Sequence, residues 1–312
     1  MHEREYLGNE DVAAFSDFLR DVTIAGCPAF SVRTGAGSQR RQVGSLLEAL
    51  EAYSWRGQSF VVVDAKIKAI RREMHAALEQ CAAADGRADR RLAELELLFV
   101  STKALSLGRV YEGAFPFLIH QAETGVLSEN LRLAAALIDG ETEAIDAFDD
   151  KPYRSDCAMT KVYAVMNRRT VVYDDRLGAA LGLLCRMHLE REGRRTLPEL
   201  LAFMVGDLGN PRRDPSRNGL SFCDKRSGRE HARWNIRANW IISQVASDPV
   251  VTRVLGGQLR ERIRGLEAAL FMVGDDVRDQ PQVPLRTQRR IAASAAQAPR
   301  RLRSVPKVSG ES

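Results

Sequence analysis

Met159-Thr160-Lys161-Val162-Tyr163-Ala164-Val165-Met166, then Asn167-Arg168-Arg169, then Thr170-Val171-Val172-Tyr173-Asp174-Asp175-Arg176, is the stretch that organises the chain. The first eight residues read as an apolar helix carrying one lysine near its start. Asn167 to Arg169 break it, and the β-branched and aromatic run from Thr170 continues as extended chain. Two aspartates end that run. Behind them Leu177, Leu181, Leu184 and Met187 recur at helical spacing over 177–192, so a second helix begins there. Lys161 and Asp174 lie thirteen positions apart, at the two ends of this unit. An amine near a carboxylate can attack a sugar carbon while the carboxylate holds the positive charge that develops. A structural role is open for the same acid, because an aspartate at that place caps a helix and suits its dipole.

The order Thr-Lys-Val, apolar helix, apolar-x-apolar-Asp and new helix resembles the helix-hairpin-helix DNA N-glycosylases, in particular the 8-oxoguanine glycosylase branch. The resemblance covers about 30 residues. It implies that Lys161 is a Schiff-base nucleophile and that Asp174, with Asp175 as the alternative, is the catalytic aspartate. It implies a base pocket lined late in the chain, for which Trp234, Asn235, Arg237 and Trp240 are the candidates. Backbone contacts to nucleic acid fall to Arg168, Arg169, Arg176, Arg212, Arg213 and Arg217, and neither metal nor other cofactor is needed. One departure stands out. The family's glycine-rich hairpin, which grips a phosphate, is replaced here by Arg154-Ser155-Asp156-Cys157-Ala158-Met159-Thr160, without glycine or proline. That departure keeps two alternatives open. One is a non-catalytic glycosylase-like protein that recognises a modified base or nucleotide beside operon partners in bacterial antiviral defence. The other is a helical adaptor with a basic tail.

Outward from this corner the chain is helical in period. Asn9 can cap a helix carrying Val12, Phe15, Phe18 and Leu19. Further helices are expected over 43–53, 64–84, 88–105, 130–138 and 141–150. Ser59 to Val63 reads as a β-like run or a buried helix start. Phe115-Pro116-Phe117 is expected to interrupt helix. A late helix runs through His231 to Ile242, with Trp234, Arg237 and Ile241 on one face, and a last one covers 254–273. Gly35 and Gly37 lack the third glycine and Walker lysine of a phosphate loop. The expected architecture is all-α: a glycosylase-like domain over 1–280 made of two packed helical subdomains, with a subdivision near 108–116, and a disordered basic tail over 281–312.

Charge supports that division. The net charge is +5, but residues 281–312 carry +6 and the first 280 carry −1, so the basicity belongs to the tail. Such a tail adds salt-dependent, sequence-blind attraction to nucleic acid or acidic proteins. Five scattered cysteines exclude a disulfide framework and paired-cysteine metal motifs. Cys185 and His188 share a helix face, read as a buried cysteine and a surface histidine. No apolar run spans a membrane, and a cytoplasmic protein is expected. Lysine is scarce, with seven among 46 basic residues. Each therefore invites a role that guanidinium cannot fill, such as losing a proton to become a nucleophile.

Overall fold

Helical periodicity in the sequence becomes helix through most of the chain. The computed structural model describes residues 1–24, 30–34, 39–107, 113–148, 152–206, 210–223, 227–278 and 280. The glycine loop at 35–38, the stretch 108–112, the tail 281–312, Cys27, Lys151, Lys225 and Lys307 lie outside them. Among the described residues the protein is mainly helical, with one two-stranded sheet.

The first helix, α1 (Glu3–Leu7), is a short capping-box turn that the periodicity did not reveal. Asn9 caps α2 (Glu10–Ile24) as expected, its Oδ1 accepting from Asp11 N at 3.1 Å. Strands β1 (Phe30–Arg33) and β2 (Arg40–Val43) form an antiparallel hairpin, so the expected helix at 43–53 shortens to α3 (Leu46–Glu51). Val43 belongs to the strand. The run at Ser59 resolves as the start of a helix, α4 (Phe60–Ala83), with Val61 and Val62 exposed. Next come α5 (Arg87–Ser106), α6 (Ala114–Glu123) and α7 (Leu127–Ile138).

Pro116 does not interrupt helix. It occupies the first turn of α6, where its missing N–H would have had no intrahelical acceptor. Of the acidic stretch 141–150, the described residues 141–148 contain a 3-10 turn, Asp146–Phe148, and no α-helix. The corner follows as α8 (Met159–Met166) and α9 (Asp175–Arg191). A second 3-10 turn, Glu199–Leu201, precedes α10 (Gly228–Ser247). The expected last helix is two. Positive φ at Gly256 and Gly257 separates α11 (Pro249–Leu255) from α12 (Leu259–Val273).

Packing puts the corner between two sets of helices. Every residue of α8 is buried, and α8 packs on α4, α5 and α7. Helix α9 packs on α12 and α2, and α12 in turn on α3 and α10. Helices α5 and α6, on either side of the suggested subdivision, also pack on each other. Two glycines permit the close approaches that fix α9: a methyl at Gly178 would collide with the Met204 carbonyl, and one at Gly274 with that of Arg176. His188 is buried, not on the surface. Its ring sits 5.3 Å from that of Phe18 and 6.2 Å from that of Phe15. No helix among the described residues is long and apolar enough to cross a membrane.

Candidate active site

Helix α8 starts because Asp156 takes the place of a capping residue. Its Oδ1 accepts from Ala158 N and Met159 N, each at 2.8 Å. At the other end Arg71 and Arg260 donate to Asn167 O, and Arg260 also to Ala164 O at 2.6 Å. Cations thus cover the carbonyls of the last turn. Lys161 sits in the first turn of α8 and is only 7% exposed.

The extended run after the break is not a strand. Its backbone groups are satisfied by side chains from α8 and α10 instead. Val171 N donates to Asn239 Oδ1 at 2.9 Å, and Val171 O accepts from Asn235 Nδ2 at 3.1 Å. Thr160 Oγ1 accepts from Tyr173 N at 3.0 Å, and lies 3.0 Å from Val171 O and 3.1 Å from Asn235 Oδ1. His231 Nε2 lies 3.0 Å from Tyr173 O. One hydroxyl, beside Lys161 in sequence, therefore holds the residue beside Asp174. Asp174 itself caps α9, its Oδ1 accepting from Arg176 N and Leu177 N at 3.0 Å each.

Lys161, Asp174 and Asp175 line one cavity of about 690 Å³. That volume falls within the range of small-molecule sites. Val63 and Ile67 of α4, Arg264, Glu267 and Phe271 of α12, and Tyr53 and Trp55 of the α3–α4 connection complete much of the wall. Burial pushes the Lys161 ammonium below its ordinary pKa, and Asp174 is the charge that most opposes this. Burial likewise pushes the Asp174 carboxyl up, against the Leu177 N–H and the Arg176 guanidinium. Tyr53 is pushed up to about 12 by burial and stays neutral. Asp175 is turned towards Cys157, whose Sγ lies 3.4 Å from its Oδ1, and towards Gly206.

Of the basic residues marked in the sequence, Arg176 and Arg213 reach this cavity. Both pair with Asp275, at 2.9 and 3.3 Å, and Arg176 also stacks 4.2 Å over Phe271. Arg168, Arg212 and Arg217 are exposed elsewhere. Arg169 is tied to Glu3 at 2.9 Å and to Asp139 O at 2.8 Å.

The aromatic and amide candidates of α10 do not line the cavity; they are core. Trp240 is 1% exposed and donates to Gly140 O at 2.9 Å, while Trp234 packs on Phe203 at 5.4 Å. Arg237 is held by Glu143 at 2.5 Å between the rings of Trp234 and Tyr6. Asn235, fully buried, supports the Val171 segment. The correction follows from their surroundings: each polar atom named here already has a partner within the protein.

What the sequence reading missed is the opposite wall. Trp55-Arg56-Gly57-Gln58 is a tight hairpin turn, with paired backbone bonds of 3.0 and 2.9 Å between Trp55 and Gln58. Its two central residues have φ of +52° and +76°, the sign that a type I′ turn requires. Arg56 at positive φ is strained backbone, of the kind found at functional sites. On α12, Glu267 is buried, and its Oε2 has no hydrogen-bond partner among the described residues while Arg264 holds the other oxygen. An Arg-Gly pair beside the remaining tryptophan was the available signal for this wall. No group of three or more metal-ligating side chains occurs among the described residues. Comparison with known proteins returns no matching family model, no matching curated protein and no matching solved structure.

Proposed function

We propose that the protein is a DNA N-glycosylase/lyase-like enzyme acting on a damaged or modified purine, with Lys161 as nucleophile and Asp174 as the stabilising carboxylate. One observation carries the reading: a buried lysine with a depressed pKa and a half-buried aspartate with a raised one line the same cavity. A nucleotide turned out of its stack enters the cavity, where Trp55, Tyr53 and Phe271 offer rings for stacking. Lys161 Nζ, as free amine, attacks the anomeric carbon, and the glycosidic C–N bond breaks with its electron pair leaving on the base. Asp174 stabilises the positive charge on the sugar as it develops. The attached nitrogen gives one proton to the departed base; its lone pair then forms the C=N bond as the C1′–O4′ bond breaks, and O4′ takes the second proton, leaving an open-chain imine from which elimination can cleave the strand.

The helix-hairpin-helix assignment belongs to this proposal. The α8–α9 corner supports it through the order of lysine, break, extended run and capping aspartate. Against the family pattern, an Asp156 cap stands where the glycine hairpin would be, and the nearest described helical element before it is the 3-10 turn Asp146–Phe148.

Borohydride reduction tests the mechanism. A covalent protein–DNA adduct is expected on duplex containing 8-oxoguanine or another modified purine, and Lys161→Gln should abolish it while remaining folded. A folded wild-type protein that forms no adduct across a panel of modified purines would refute the lyase chemistry.

A further inference from the structure

A second space of about 390 Å³ adjoins the first and shares Trp55, Arg56, Val63 and Leu107 with it. Its character differs. The first mixes acids and bases, whereas the second has Arg56, Lys66 and Lys103 on its wall and no acidic side chain among the described residues. Its floor is apolar, from Val63, Ile70 and Leu107.

Lysine usage sharpens the contrast. Four of the chain's seven lysines are described, and three of them, Lys66, Lys103 and Lys161, line these two adjoining spaces. The fourth, Lys68, is held by Asp64 and Glu261 at 3.1 and 2.9 Å. Lys66 donates to the neutral Gln58 Oε1 at 2.9 Å, which anchors the Trp55 turn to α4 without neutralising the ammonium. Lys103 pairs with Glu73 at 2.6 Å, but both side chains are well exposed. Solvent screens such a pair, so an incoming anion can compete for the lysine.

From this geometry we infer that the second space is a phosphodiester subsite. It seats the nucleotide next to the one in the first cavity, with that neighbour's phosphate on Lys66 and Lys103 and its apolar face on the floor beside Trp55. The ligand is then a nucleic-acid strand rather than a free base or nucleotide. The inference rests on the proposed reading of the first cavity, and it answers the missing glycine hairpin: the backbone is gripped by lysine side chains on α4 and α5, not by loop amides before α8.

Binding separates this claim from the chemistry. In a Lys161→Gln background, which cannot turn over, affinity is measured for a single-stranded pentanucleotide with a central 8-oxoguanine. It is compared with the same strand carrying a neutral methylphosphonate at one or the other central linkage, and with the free nucleoside monophosphate. One neutral linkage is expected to weaken binding by about 10-fold, and adding Lys66→Gln and Lys103→Gln should erase that penalty. The lysine changes should also make the slope of log affinity against log salt shallower by about 0.7, the share of a single phosphate on a single strand. An unchanged penalty in the lysine variant, a monophosphate that binds as tightly as the strand, or no binding by any of these ligands would overturn the subsite. Strand binding that obeys these expectations, beside a wild-type protein that forms no borohydride adduct, would instead overturn the lyase chemistry of Lys161 and leave the subsite standing.

Discussion

Replacing Asp174 separates its two duties, because asparagine and alanine remove different things. The carboxylate accepts from two backbone N–H groups at the start of α9 and also faces the cavity that holds Lys161. Asparagine keeps an oxygen for those donors and is as good a cap, so Asp174→Asn loses only the charge, worth ~0.3–1 kcal/mol at a helix start. Alanine also loses the cap, at about 0.5–2 kcal/mol. At roughly 2–4 °C per kcal/mol for a domain of this size, the two variants should melt within a few degrees of each other, alanine lower. Chemistry should order them differently. If the charge stabilises the developing cation, both variants lose on the order of 10²–10³ in single-turnover base release, as when one oxyanion-hole donor is removed. The pH profile gives an independent sign. Asp174 raises the pKa of Lys161, so Asp174→Asn should move the limb that reports amine deprotonation to lower pH. Release by Asp174→Asn within about 3-fold of wild type, with only Asp174→Ala impaired, would make the residue a cap and nothing more.

Three further outcomes follow from buried groups. Burial depresses the pKa of Lys161, so the unfolded chain binds the extra proton between the folded value and about 10.5, and stability rises with pH across that window. Lys161→Met should therefore raise Tm at pH 7, by an amount that shrinks towards pH 10.5; a lower Tm at pH 7 would contradict this. Thr160→Val strips Tyr173 N of its acceptor in a buried site, at about 1–3 kcal/mol. It should slow base release more than Thr160→Ser, measured at a temperature where both are folded; equal rates would show that the hydroxyl does not position the corner. His188 is buried with its pKa lowered by desolvation, so stability present above pH 6.5 is lost as the solution is acidified below that value. His188→Gln should flatten the denaturant midpoint against pH between about 5 and 7, and an unaltered profile would count against a buried neutral ring.

Local features of the corner could be read from the chain because they are short-range. A lysine in an apolar helix, a break at Asn167 and an aspartate before Leu177 are adjacent signals, and α8 and α9 form where they say. The same holds for the long amphipathic helices α4 and α5. What failed was long-range. Trp234 and Trp240 carry the composition of a binding face, yet their partners Phe203 and Gly140 come from distant segments that make them core. Conversely Trp55 shows in the sequence only the turn signal of the Arg-Gly pair beside it, and becomes part of a wall where residues of α4 and α12 line the same cavity. The β1–β2 hairpin was hidden by polar Arg40, Arg41 and Gln42, since an exposed strand need show little apolar alternation.

The side-chain lattice around Val171 has a consequence for how this corner tolerates change. In a ladder, backbone pairs with backbone and side-chain identity is secondary. Here Asn235, Asn239 and Thr160 take the part of a neighbouring strand. Aliphatic neighbours can drift in size at modest cost, whereas each of these three admits few substitutes, and serine at 160 is the nearest. A lysine and an aspartate on two separate helices are thereby kept in register by three small polar groups that need never touch a ligand.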